Sequence, residues 1–135
     1  MFVKRKKQKR QPVDSEVPGK ATMSQQVWKF AGDFIRMGNT LEDRQSLLNA
    51  ACSAWNIACD PPERRKASLD RYMVEYRRYN ADADEVEMAG VRSNVEKLIA
   101  KKLEMFPGDT RQIVRAQIVR MGDHERIDVA SGTFS

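Results

Sequence analysis

Ile113-Val114-Arg115-Ala116-Gln117-Ile118-Val119-Arg120-Met121-Gly122-Asp123-His124-Glu125-Arg126-Ile127-Asp128-Val129 is where the chain leaves the helical period that governs the residues before it. On a helical wheel Ile113, Val114, Ile118, Val119 and Met121 scatter, whereas Val114, Ala116 and Ile118 alternate with Arg115 and Gln117 as the two faces of a strand do. Gly122-Asp123 then supplies a two-residue turn. Folding across it sets Arg120 opposite Glu125, Ile118 opposite Ile127 and Ala116 opposite Val129, so one register pairs opposite charges and gathers apolar side chains on one face. The stretch from about 111 to 130 is therefore expected to form a β-hairpin. Two strands alone are marginal in water, so the hairpin must pack on the rest of the chain, pair with another copy, or accept a partner's strand.

Working back from the hairpin, Pro107-Gly108 stops a long helix capped at its start by Asp82 or Asp84, with Met88, Val91, Val95, Leu98, Ile99 and Phe106 as its apolar stripe. Lys102 falls in the middle of that stripe and is expected either to snorkel out or to mark a less buried end. Before it, Asp60-Pro61-Pro62-Glu63 combines a cap residue, a proline at the first helical position and an acid three after the cap. The helix it starts runs to about Tyr79, with Leu69, Tyr72, Met73, Tyr76 and Tyr79 on one side. A further helix begins behind Thr40 as N-cap and passes through Leu47, Leu48, Ala51, Ala54, Trp55 and Ala58; its small residues permit close helix approach. The first helix, Ser24 to Met37, carries Val27, Phe30, Ala31, Phe34 and Ile35 on one face and ends at Gly38-Asn39. The expected architecture is mainly α: a four-helix bundle-like single domain over residues 23–135 that closes with the hairpin.

Charge separates that domain from what precedes it. Met1 to Lys20 holds seven basic residues against Asp14 and Glu16, while Ala21 to Ser135 holds seventeen of each sign, so the net charge of +5 lies entirely in the first twenty residues. Lys4, Arg5, Lys6, Lys7, Lys9 and Arg10 form a block too charged and too poor in apolar residues to fold alone, and residues 1–22 are read as a disordered basic arm. The Pro/Gly content of the arm (Pro12, Pro18, Gly19) gives way to a helical period at Met23-Ser24-Gln25. Translation from Met23 would keep every expected helix and the hairpin, so the arm is weighed apart from the fold.

Composition and motifs exclude several classes. With 41% hydrophobic and 32% charged residues and no apolar run near the ~18 residues of a membrane span, the chain reads as soluble, with no membrane partner. The prolines and polar residues of Gln11 to Lys20 do not suit the apolar core of a signal peptide. Cys52 and Cys59 lie seven apart in one helix, ~10 Å by helical rise and too far for a disulfide, so they read as reduced thiols in a cytoplasmic protein. His124, the single histidine, lacks the second histidine of HExxH. Asp82-x-Asp84 resembles the opening of a calcium loop, but Glu87 stands where the loop requires glycine. No phosphate-binding glycine loop, nucleophile elbow or zinc ligand set is present, and no catalytic residue, metal or cofactor is assigned.

Two partner classes remain. The leading expectation is a small, non-enzymatic interaction or regulatory protein, using the hairpin residues Ile118, Arg120, Glu125, Ile127 and Val129 to bind a protein partner or a second copy of itself. The alternative is nucleic-acid binding, with the arm contacting phosphates and Arg64, Arg71 and Arg78, repeating every seven residues along the third helix, orienting the domain. Glu75 lies on that ridge, and a solvated helix face explains the arginines without a ligand.

Overall fold

A computed structural model describes residues 22–132, in the order α1 (Met23–Ile35), α2 (Leu41–Cys59), α3 (Pro62–Tyr79), α4 (Glu85–Met105), β1 (Gln112–Met121) and β2 (His124–Gly132). The basic block of the arm and its expected disorder lie outside the described residues. The four helices and the antiparallel hairpin are as the period and cap signals require. No helix among the described residues is long and apolar enough to cross a membrane.

α1, α2 and α4 start where a side chain can satisfy their unpaired amides. Thr22 and Gln25 form a reciprocal capping box at α1, with Gln25 N–H donating to the Thr22 hydroxyl at 3.1 Å and Thr22 N–H to Gln25 Oε1 at 3.0 Å. Thr40 caps α2 through the Asp43 amide, and Asp84, of the two candidates, caps α4 through the Glu87 amide. α3 departs from expectation. Its N-cap is Pro61, with no side-chain bond, because a residue before proline is driven out of the helical region and Pro61 precedes Pro62. Asp60 is thereby moved one residue upstream; it ends α2, and its carboxylate accepts the Ser68 hydroxyl at 2.6 Å.

α2 is the central element and packs against α1, α3, α4 and β1. Toward its C-terminal end Trp55 is fully buried, edge-on to Phe30 of α1 at 5.7 Å between ring centroids and 5.9 Å from Phe106. α3 is peripheral: only Leu69 and Met73 are buried on it, and polar contacts such as Arg92–Asp70 and Tyr76–Glu87 tie it to α4. Tyr79, assigned by its spacing to the core side, is 80% exposed where the helix ends.

Lys102 meets neither expectation. It is 1% exposed, its Nζ donates to the Asp109 carbonyl at 2.5 Å, and the ammonium lies 4.9 Å from the centroid of the Trp55 ring. A buried ammonium needs acceptors and a polarisable neighbour, and the turn after α4 and the Trp55 ring supply them. The Trp55 indole N–H donates to the Arg111 carbonyl at 2.8 Å, while the Asp109 carboxylate accepts from the Arg111 guanidinium at 2.6 Å. This network joins α4, α2 and the start of β1.

The hairpin has the register read from the sequence: Arg120↔Glu125, Ile118↔Ile127 and Ala116↔Val129, around a turn in which Gly122 takes φ +65°. A bulge between Ile113 and Arg115, not foreseen, interrupts β1 near its start. Of the three fates open to an isolated hairpin, the chain takes the first. Ile127 and Val129 join the core, with Ala116 and Ile118 packed against it, and the strands lie on α1 and α2.

Candidate binding cleft

The outer edges of the hairpin carry main-chain groups that no third strand satisfies. On β1 those of Ile113, the Ala116 carbonyl and the Ile118 amide are met by side chains of α2. Asn56 behaves as a peptide group in its own right: its Nδ2 donates to Ile113 O at 2.9 Å and its Oδ1 accepts from Ile113 N–H at 2.8 Å. Gln45, three turns earlier on the same face, repeats the pattern by donating to Ala116 O at 3.2 Å and accepting from Ile118 N–H at 2.8 Å. On β2 the corresponding partner is Ser24 of α1, whose hydroxyl accepts from Val129 N–H at 2.9 Å and lies 3.4 Å from Val129 O.

The Ser24 bond fixes which way β2 faces. Because main-chain groups of a strand alternate with a period of two, the N–H and C=O of Ile127 and Glu125 point to the same outer side as those of Val129. Past Ser24 the next large side chain of α1 on this side is Trp28, 42% exposed. Its indole lies across the helix above Gly32, where a Cβ would stand only 3.1 Å from the ring carbons, and the Arg36 guanidinium sits 5.1 Å from its centroid.

Two hollows meet at Trp28. One, about 480 Å³, runs between α1 and the β2 edge, lined by Ser24, Gln25, Trp28, Lys29 and Glu125 to Ile127. The other, about 490 Å³, lies beneath the hairpin tip, over Ile35, Ile118 and Ile127, with Arg36, Arg44, Arg120 and Arg126 around it. Both volumes are in the range of ligand sites, roughly 300–1,000 Å³. The tip is held over α2 by Arg44, which donates to both Glu125 oxygens at 2.8 and 2.6 Å and to the Gly38 carbonyl. These bonds hold the Glu125 carboxyl below its ordinary value and raise that of Arg44.

Of the residues singled out from the sequence, Ile118, Arg120, Glu125 and Ile127 all line the hollow beneath the tip. Val129 stands apart, buried and bonded to Ser24. Arg64, Arg71 and Arg78 are exposed along α3, away from this cleft, and Arg78 is paired with Glu75. Lys4, Arg5, Lys6, Lys7, Lys9 and Arg10 lie outside the described residues. The sequence reading missed Trp28, Arg36 and Arg44. A tryptophan one position off the apolar stripe Val27-Phe30-Ala31 was the available signal, since an indole at the margin of a core face is half in solvent.

The arrangement offers an aromatic face, guanidinium groups and open main-chain donors and acceptors. His124 sits at the rim, exposed, 3.3 Å from Asp123. Among the described residues no three His, Cys, Asp or Glu side chains gather as a metal site. The cysteines are free, and burial pushes the Cys52 thiol up to about 12 and raises that of Cys59, which leaves little nucleophilic thiolate. Comparison with known proteins finds no matching family model, no matching curated protein and no matching solved structure.

Proposed function

We propose that this chain is a non-enzymatic protein-interaction module that receives an extended segment of a partner on the β2 edge of its hairpin. The observation that carries the reading is the unequal treatment of the two edges. Helix side chains satisfy β1 at Ile113, Ala116 and Ile118 and β2 at Val129, whereas the edge at Ile127 and Glu125 opens onto a groove walled by Trp28. An added strand would take main-chain hydrogen bonds from that edge and side-chain contacts from the indole. A second copy of the chain pairing β2 with β2 is the homodimeric form of the same proposal.

Residue-resolved amide exchange on the full chain tests it. Ile113, Ile118 and Val129 are expected to exchange slowly and Ile127 and Glu125 quickly, the latter two slowing when a partner binds or when the protein is concentrated into a dimer that light scattering detects. Slow exchange at Ile127 and Glu125 in the dilute monomer would mean the edge is already closed and would sink the proposal.

Nucleic-acid binding is the second reading, supported by one observation: Arg64 and Arg71 are exposed and have no carboxylate partner among the described residues. Fluorescence anisotropy of a labelled duplex and single strand across a salt series, comparing the full chain with an Arg64→Gln/Arg71→Gln variant, tests it. The salt slope should fall by roughly one for each phosphate that the variant leaves without its arginine; an unchanged slope removes α3 from consideration.

A further inference from the structure

The arginines around the cleft are not equivalent. Arg44 is committed to Glu125, Arg126 to Asp128, and Arg36 to Asp33 and the Trp28 ring. Arg120, exposed on β1 beneath the hairpin tip, makes no direct salt bridge among the described residues, although its charge acts through space on Glu125. It stands opposite Glu125 in the register, but the Glu125 oxygens are taken by Arg44. We propose that the cleft selects an extended peptide bearing an acidic side chain, whose carboxylate Arg120 receives beneath the hairpin tip while the peptide main chain pairs with Ile127 and Glu125. This rests on the strand-addition reading above and adds to it the chemistry of the partner.

Three features favour a carboxylate. Guanidinium groups outnumber carboxylates around the hollow, so a lysine in the same place would meet like charge from Arg36, Arg120 and Arg126. A guanidinium with no direct salt bridge binds a carboxylate through paired, charge-assisted hydrogen bonds. A segment lying along β2 projects alternate side chains the same way, ~6.6 Å apart, so one can pass Trp28 into the hollow while the next rests on the indole. A polyphosphate backbone fits less well, because it would run past the Asp123 and Glu125 carboxylates to reach a single open cation.

The test pans a random-peptide display library on the full chain and measures the affinity of synthetic versions of the selected peptides for wild type, Arg120→Gln and Trp28→Ala. Arg120 is exposed, so its substitution leaves the fold intact, and circular dichroism checks this. The expected result is a shared Asp or Glu, affinity lowered about tenfold or more by Arg120→Gln, a similar loss when that acid becomes its amide, and no further loss when both changes are combined. Since Arg120→Gln leaves Lys4 to Arg10 untouched, an acidic peptide held by that block keeps its affinity, and this overturns the proposal. Peptides that need Trp28 but are indifferent to Arg120→Gln overturn the acidic preference and leave strand addition standing. Absence of any Trp28-dependent peptide overturns both. A single-stranded oligonucleotide that displaces the peptides and loses affinity with Arg120→Gln assigns the cleft to nucleic acid instead.

Discussion

The two edges of one hairpin meet different solutions to the same problem. On β1, side-chain amides of Gln45 and Asn56 stand where the peptide groups of a neighbouring strand would, at Ile113, Ala116 and Ile118. On β2 a single hydroxyl, that of Ser24, covers Val129, and the edge then runs uncovered past Trp28 toward the turn. An exposed edge invites self-association, and two well-placed amides along the middle and start of β1 hinder the approach of another strand there more than one hydroxyl does on β2. The difference is set by the helices: α2 packs along β1 and offers it two side-chain amides, while the side-chain bond from α1 to β2 among the described residues comes from its first turn.

The strongest way to break the comparison is to remove what anchors β1. Trp55 fills the centre of the core, lies under Lys102 and donates to the Arg111 carbonyl just before β1 begins. Trp55→Ala should cost about 3–5 kcal/mol in urea-induced unfolding, from the burial forfeited and the cavity left behind, and should raise exchange along β1 before β2. A loss under about 1 kcal/mol would mean that the hairpin is not tied to the core through this residue.

Opening the closed edge directly is next. Asn56→Ala leaves the N–H and C=O of Ile113 without their partners in a partly buried site, at a cost of about 2 kcal/mol. Combined with Gln45→Ala it should convert β1 into an edge like β2, seen as concentration-dependent association in light scattering beyond that of the wild type. If the double variant associates no more than wild type, side-chain capping is not what protects β1.

A third test concerns the hairpin tip. The Glu125 carboxyl is held below its ordinary value by the two bonds from Arg44, so its contribution to stability is complete above the unfolded carboxylate pKa, roughly 4.3, and is lost as pH falls through the lower folded value. The stability gap between wild type and Glu125→Gln should therefore be present at pH 6 and shrink toward pH 3. A gap that persists at pH 3 would assign the role of Glu125 to its shape and hydrogen bonds instead of its charge. The two bonds from Arg44 occupy the Glu125 oxygens, so Arg44→Met should weaken any acidic peptide by freeing that carboxylate to bond its cross-strand neighbour Arg120.

How much of this was legible in the sequence follows the range of the signal. The hairpin register could be read because strand pairing across a two-residue turn is local, and charges and apolar residues agreed on one alignment. Helix limits could be read from Thr40, from the pair Asp82 and Asp84 and from Pro107-Gly108 for the same reason, although which of the two acids caps α4 came only from the structure. Lys102 could not, since its burial depends on the carbonyl of Asp109 and the face of Trp55, one beyond the helix end and the other far away in the chain. Gln45 and Asn56 look like ordinary solvated residues on α2 until β1 is laid beside them. Half of the cleft was visible as Ile118, Arg120, Glu125 and Ile127; its other wall, Trp28 and Arg36, is joined to them only by packing. Asp60 was misplaced by one residue because the cap pattern ignores what a second proline does to the first.

The smallest change sharpens the comparison most. Ser24 is the only described cap on the β2 edge, its hydroxyl serving Val129 and its backbone lying one turn before Trp28. Ser24→Ala removes an oxygen and little else: alanine suits the first turn of α1, and the Thr22–Gln25 capping box is untouched. The cost should be about 1 kcal/mol, the net worth of one hydrogen bond to a partly buried amide. Local exchange should change more than global stability, with Val129 N–H rising toward the rate of Ile127 while Ile113 and Ile118 stay slow. The open edge would then extend by one strand repeat, and a peptide long enough to reach Val129 should gain affinity for the variant while a shorter one does not. Equal affinities for both lengths would place the end of the binding edge at Ile127 and leave Ser24 with a purely structural part.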